Sequence, residues 1–159
     1  MRLHDLFEKW GLTGLKVKLG ILETEWKPSD YDKDAAWDLY IELLTRITTQ
    51  PLPEEHGVEQ TALDSIYALF GITRKTLKTH GRSCIEFTRI AVIILNQVVR
   101  PFTAKWHRKS QDGAFDSPEQ CVIFRAELQA LQIQLRNYTG LLADLADVED
   151  LTAVEREDF

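Results

Sequence analysis

Residues 83–109 read SCIEFTRIAVIILNQVVRPFTAKWHRK, and the middle of this stretch decides the fold. From Ile90 to Val99 every position is apolar except Asn96 and Gln97. A helix wetted along one side carries a polar stripe, so a run apolar all round predicts a central helix enclosed by other elements. The run falls short of the ~20 apolar residues that a membrane span requires. Ser83 and Glu86 have the spacing of a capping box that would open this helix. Pro101 lies inside it and cannot donate to the carbonyl of residue 97, which predicts a kink.

Downstream, Gly113 and Asp116 mark a loop, and Ser117-Pro118-Glu119-Gln120 is a strong helix start: a cap, proline in first position and glutamine in third. The helix that follows carries Cys121, Phe124, Leu128, Leu131, Leu135, Tyr138, Leu142 and Leu145, spaced 3-4-3-4-3-4-3. That heptad spacing is a seam for neighbouring helices, in this chain or another. Upstream, Gly81 closes a helix that begins near Val58 and turns Leu63, Ile66, Tyr67 and Phe70 inward. Gly71 is expected to interrupt it, with Thr73 capping the second piece. A polar link, QPLPEEHG, separates it from a helix opened by Ser29 and Asp32 and running to about Thr49, where Pro51 stops it. The face expected inward there is Trp37, Tyr40, Ile41, Leu44 and Ile47.

At the N-terminus, residues 2–10 fit a short amphipathic helix with Leu3, Leu6, Phe7 and Trp10 on one side, ended by Gly11 and Gly14. In LKVKLGILETEW, residues 15–26, Leu15, Val17, Leu19 and Ile21 alternate with Lys16, Lys18 and Gly20. Period 2 predicts a strand with one buried face. Such a strand needs a pairing partner, supplied by its own hairpin about Gly20 or by another chain. Short links between amphipathic helices imply antiparallel neighbours. The expected fold is therefore mostly all-α: an antiparallel four-helix bundle over residues 29–147, a helix–strand extension over 1–28, and an acidic, loosely held tail over 148–159, all one domain.

With 159 residues, 44% hydrophobic and 28% charged, the chain has room for a sizeable core and is not disordered in composition. Eight glycines and five prolines are few for an all-β protein. A net charge of −6 disfavours non-specific nucleic-acid binding by the protein as a whole. Cys84 and Cys121 fall in predicted helices without metal-like spacing, which points to reduced core thiols. The first residues contain acids and no signal-peptide run, so the expectation is a cytoplasmic protein.

Catalytic signatures are missing. The four histidines, His4, His56, His80 and His107, have no HxxxH or ExxH spacing, no serine or cysteine sits in a nucleophile elbow, and no glycine-rich loop follows a strand. No metal or cofactor is expected. The sharpest local feature is basic: between Gly71 and Ser110 stand nine Lys or Arg and one acid, Glu86. A phosphate-bearing ligand or an acidic partner would suit this segment. The alternative is structural: both clusters lie at helix C-termini, where cations complement the dipole, and Asp30–Asp34 with Asp144–Asp150 are placed to neutralise the first of them. Arg46, Asn96, Arg100 and His107 are the candidates for a ligand pocket, with register or capping as the rival role for Asn96. Val17 and Leu19 of the strand, with Trp106 and Arg108 beyond the proline, are the interface candidates, since exposed Trp beside cations is typical of hot spots. Trp106 closing the core is the competing reading.

Two stretches, AAWDLYIELLTRITTQPL and LNQVVRPFTAKWH, resemble segments of small helical proteins that accompany bacterial conflict and phage-defence systems. The resemblance spans about residues 15–150 and brings no motif of known chemistry. It implies an accessory or sensing subunit that works by binding proteins. The expected function is a non-enzymatic helical module acting through protein–protein contacts, as a homo-oligomer or in a complex; the alternative is a small-ligand or nucleotide sensor.

Overall fold

A computed structural model of the chain describes residues 1–154; the last part of the acidic tail lies outside the described residues. The helices are α1 (Leu3–Lys9), α2 (Leu19–Leu22), α3 (Asp30–Leu44), α4 (Glu59–His80), α5 (Ile85–Ile94), α6 (Arg100–Gln111) and α7 (Pro118–Ala146), and a π turn, Leu95–Val99, joins α5 to α6. The fold is all-α. Among the described residues no helix is long and apolar enough to cross a membrane.

Contacts between helix ends order the structure. The Ser29 hydroxyl donates to the Ser83 carbonyl at 3.2 Å, so α3 and α5 start side by side. Arg125 of α7 pairs with Glu59 at 3.0 Å, which puts the starts of α4 and α7 together. α3 packs on α7, α4 and α5, while α4 packs on α6 and α7. The α7 seam is buried as its spacing predicts, from Phe124 through Leu128, Leu131, Leu135 and Tyr138 to Leu142 and Leu145.

Asp32 joins two helix starts. One carboxylate oxygen accepts from the Ser29 N–H at 2.8 Å and shares the Ser29 hydroxyl proton, at 3.0 Å, with the Ser83 carbonyl, while Ser29 Oγ accepts from the Asp32 N–H. This is the capping box expected from the sequence. The other oxygen accepts from the Phe87 N–H at 3.0 Å, in the first turn of α5. A buried helix start must have its N–H groups satisfied. Here a carboxylate from another helix does this, and the box expected from Ser83 and Glu86 does not form: Cys84 caps α5 without a side-chain bond, and Glu86 turns to Arg89 at 3.3 Å.

The predicted strand is absent. Residues 15–18 belong to neither helix nor strand, with Leu15 and Val17 half-buried against the core, but Leu19 begins α2 and is 72% exposed. The pairing that a strand would need comes from a side chain. The Lys16 N–H donates to Gln97 Oε1 and Gln97 Nε2 donates to the Lys16 carbonyl, both at 2.7 Å. An amide that both donates and accepts replaces one rung of a ladder. The extension closes through an isolated antiparallel bridge between Arg2 and Glu25.

The central run is not enclosed all round. Phe87, Ile90, Ala91, Ile94 and Val99 are buried, yet Ile85, Val92 and Asn96 face out, because α3, α4 and α7 do not close around it. At its end the Arg100 N–H reaches back to the Leu95 carbonyl, so one wider turn precedes the donor that Pro101 lacks. α3 also differs from expectation. It stops at Leu44, and its buried side is Asp32, Ala35, Ala36, Leu39, Tyr40 and Leu43, with Trp37 and Ile41 exposed. Of the expected face Tyr40 is fully buried and Leu44 and Ile47 pack on the core, while Trp37 and Ile41 give way to the smaller Ala35 and Ala36, which have no exposed surface. α4 runs through Gly71 unbroken, and Tyr67 is exposed. The tail is held as far as Thr152: the Tyr40 hydroxyl donates to the Glu149 carbonyl at 3.1 Å and accepts from the Leu151 N–H at 2.9 Å.

Asp32→Ala removes the box and strands the Phe87 N–H in the interior, and should cost about 2–4 kcal/mol in urea unfolding. Tyr138 is the opposite case. Its buried hydroxyl has no partner among the described residues, and burial pushes it well above the usual phenol range. Tyr138→Phe therefore loses no hydrogen bond, and the same measurement should put it within about 0.5 kcal/mol of the parent or above it.

Candidate interaction surface

α7 is polar along one flank, and that flank positions the link between α3 and α4. Arg125 donates to the carbonyls of Pro53 at 3.0 Å and Gly57 at 2.9 Å, besides pairing with Glu59. One turn-pair later Gln132 Nε2 donates to the carbonyls of Ile47 at 2.6 Å and Gln50 at 2.7 Å, and Arg136 Nε to that of Thr49 at 3.2 Å. Each is a bond to a link carbonyl that no helix or sheet satisfies. Gly57 is required in this arrangement, since a Cβ there would stand 2.3 Å from the Pro53 carbonyl oxygen. The link is thereby laid alongside α7, and a groove of about 700 Å³ runs between them, with Pro51, Leu52 and Glu54 on one wall and Val122, Ala126, Gln129 and Ile133 on the other.

The α7 wall is unusual in chemistry. The exposed residues of α7 from 122 to 134 are Val122, Ile123, Ala126, Gln129, Ala130, Ile133 and Gln134, and none is charged. Val122 is 68% exposed and Ile133 58%. In a chain with 28% charged residues, a solvent-facing helix surface would ordinarily carry Lys and Glu. Loss of charge together with retained aliphatic side chains is the composition of an interface centre. This surface escaped the sequence reading, which followed only the buried seam. Its signal is a second stripe in the same helix, Glu119, Val122, Ala126, Gln129, Ile133 and Arg136, spaced 3-4-3-4-3.

The residues singled out from sequence are dispersed. Arg46 follows α3 and pairs with Glu42 at 2.8 Å. Asn96 and Arg100 do meet: both are exposed, and Arg100 Nε donates to Asn96 Oδ1 at 3.2 Å while its guanidinium lies 4.6 Å over Phe70. His107 is edge-on to Tyr67 at 4.7 Å. Val17 is half-buried and Leu19 exposed, on a segment whose Lys16 peptide is taken by Gln97. Arg108 is exposed beside Asp112 at 3.6 Å. Trp106 is fully buried, so of its two readings the exposed anchor is overturned and the residue that closes the core holds. It stacks on Phe115, meets Phe124 edge-on at 5.1 Å, and donates to Glu127 at 2.6 Å. Burying its apolar body while keeping its N–H bonded suits the indole.

A third of the basic segment is neutralised: Arg89 pairs with Glu86 in α5, Lys105 with Glu127 and Arg108 with Asp112. Arg74, Lys75, Lys78 and Arg82 have no carboxylate at ion-pair distance among the described residues. The acids expected to meet them serve elsewhere: Asp32 caps helices, Asp144 takes Lys9 at 2.8 Å, and Asp150 bonds Thr152. Arg74, Lys75 and Lys78 border an open depression with Gly71 and Thr79. His4, Asp5 and Glu8 come close enough to share an ion, but they are exposed neighbours on one turn of α1, and Asp5 already caps that helix through the Arg2 N–H at 2.9 Å. No family model matches this chain, and no curated protein or solved structure is significantly similar to it. The resemblance to defence-associated helical proteins therefore rests on the two quoted stretches alone.

Burial alone would raise the Glu127 carboxyl, but hydrogen bonds from Lys105 and Trp106 and the charges of Lys105 and Lys109 outweigh it and hold it below the usual range. A carboxylate held low stabilises the fold above its unfolded-state value and loses that contribution as pH falls through its folded value. Below about pH 4.3, Glu127→Gln should lose less Tm on acidification than the parent does. Parallel profiles would contradict this.

Proposed function

We propose that this chain is a non-enzymatic interaction module, an accessory subunit that holds another polypeptide against the outer side of α7. The carrying observation is the uncharged face from Val122 to Gln134 beside a groove walled by Leu52. Interfaces are depleted of charge at their centre, and solvent-facing helices are not. The polar clamp of Arg125, Gln132 and Arg136 supports the same reading, because it builds a second wall without covering the first. In this reading the four long helical segments form an antiparallel bundle, kinked before Pro101, that serves as a rigid frame. The accessory role in a bacterial defence system, which the resemblance implies, belongs to the same proposal.

A second reading attaches to Arg74, Lys75, Lys78 and Arg82, whose missing carboxylates favour an anionic ligand over dipole compensation alone. It predicts tight, salt-sensitive binding of a phosphorylated ligand or nucleic acid at low ionic strength, lost in Lys75→Glu. The leading reading is tested in extracts of cells that make the protein, by native size fractionation of a tagged chain. The parent should run well above its 18.3 kDa chain mass and Ile133→Lys at the monomer position. Monomer-sized parent chain would overturn it.

A further inference from the structure

The stripe that carries the proposed function is self-complementary. Glu119, Val122, Ala126, Gln129 and Ile133 are exposed on α7, and half-buried Arg136, whose Nε also holds the Thr49 carbonyl, ends the row, spaced 3-4-3-4-3 over about 26 Å at 1.5 Å per residue. This spacing is a helix-pairing seam. Turn a second copy of the helix antiparallel about a point between Ala126 and Gln129, and the layers fall into pairs. Val122 meets Ile133, Ala126 meets Gln129, and Glu119 meets Arg136, each pair occurring twice. A two-fold interface demands that if residue i faces j, then j faces i, and this stripe satisfies that from end to end. The centre is Ala and Gln, small or flexible enough for close approach; the next layer is aliphatic; the ends are opposite charges. A parallel arrangement would set Glu119 against Glu119 and Arg136 against Arg136, which the charges disfavour. The inner layers suit either direction, and the end charges select the antiparallel one.

The groove has the matching form. Its walls are the stripe on one side and Pro51 and Leu52 on the other, so a helix laid on the stripe is also cradled by the link. We infer that the occupant is a second copy of this chain, and that the protein is an antiparallel α7–α7 homodimer in which Val122 of each copy packs on Ile133 of the other. This rests on the reading of α7 as the interaction face and names the partner.

Sedimentation velocity of the purified full-length chain at micromolar concentration tests it. The expected species has twice the 18.3 kDa chain mass, and Ala126→Glu, which puts two acids at the centre, removes it. Glu119→Arg should weaken dimerisation about tenfold at low salt and less at high salt. Register is tested separately in a Cys121→Ser background: chains with Val122→Cys mixed with chains with Ile133→Cys should form a disulfide-linked dimer, and Val122→Cys alone should not. A monomeric parent, or linkage of Val122→Cys to itself, would overturn the antiparallel dimer. A purified monomer whose native assembly in extracts is nonetheless lost in Ile133→Lys would reject the second copy while sparing the interaction face. Monomeric behaviour in both settings would reject both.

Discussion

A helix 29 residues long that buries one side must leave the other to something else, and the structure follows from how α7 divides its surface. Its inner seam, Phe124 to Leu145, is the wall against which α3, α4 and α6 pack. α3 packs along it more extensively than any other helix does. The N-terminal extension docks where α7 is smallest: a Cβ on Gly140 would lie 2.4 Å from the Trp10 ring, so the glycine is the seat for the indole. The flank bearing Arg125, Gln132 and Arg136 holds the link. What remains is the outer stripe, uncharged from Val122 to Ile133, which none of the described elements covers.

The second constraint is polar. Segments that are neither helix nor strand still bring N–H and C=O groups against the core, and each needs a partner. The chain meets this with single side chains that serve two backbone sites. Asp32 closes its own cap and accepts from Phe87, Gln97 brackets the Lys16 peptide, and Tyr40 brackets the Glu149–Leu151 turn. These contacts join elements that sit far apart in sequence. The outer stripe of α7 owes its openness to the same arrangement, because the link is tied beside it and not over it.

How much of this was legible depends on range. Several signals carried by a single helix were read correctly: the Ser29–Asp32 box, the Ser117-Pro118 start, the Gly81 stop and the heptad seam. Those that depend on a distant partner were not. Alternation from Leu15 to Ile21 resembles a strand whether the rung is another strand or the Gln97 amide. Ser83 and Glu86 have capping-box spacing, but Asp32 takes the role. Size misled on α3, where Trp37 and Ile41 outweighed two alanines, and on α4, where Gly71 sits in open space inside an unbroken helix. The anchor and core readings of Trp106 could not be separated locally, because its aromatic neighbours come from the next loop, Phe115, and from the helix beyond it, Phe124. The outer stripe was present in the sequence as a second 3-4 pattern, hidden by the stronger one beside it.

The claim that joins fold and function is that the two seams of α7 do separate work: the inner one holds the chain together, and the outer one holds a partner. Urea unfolding of Leu135→Ala and Ile133→Lys at two protein concentrations tests this most directly. Leu135→Ala should lose about 2–5 kcal/mol at either concentration. At high dilution Ile133→Lys should match the parent within about 0.5 kcal/mol, and it should lack the parent's gain in stability with concentration. If Ile133→Lys at high dilution is as unstable as Leu135→Ala, the outer stripe belongs to the core and the division of α7 is wrong.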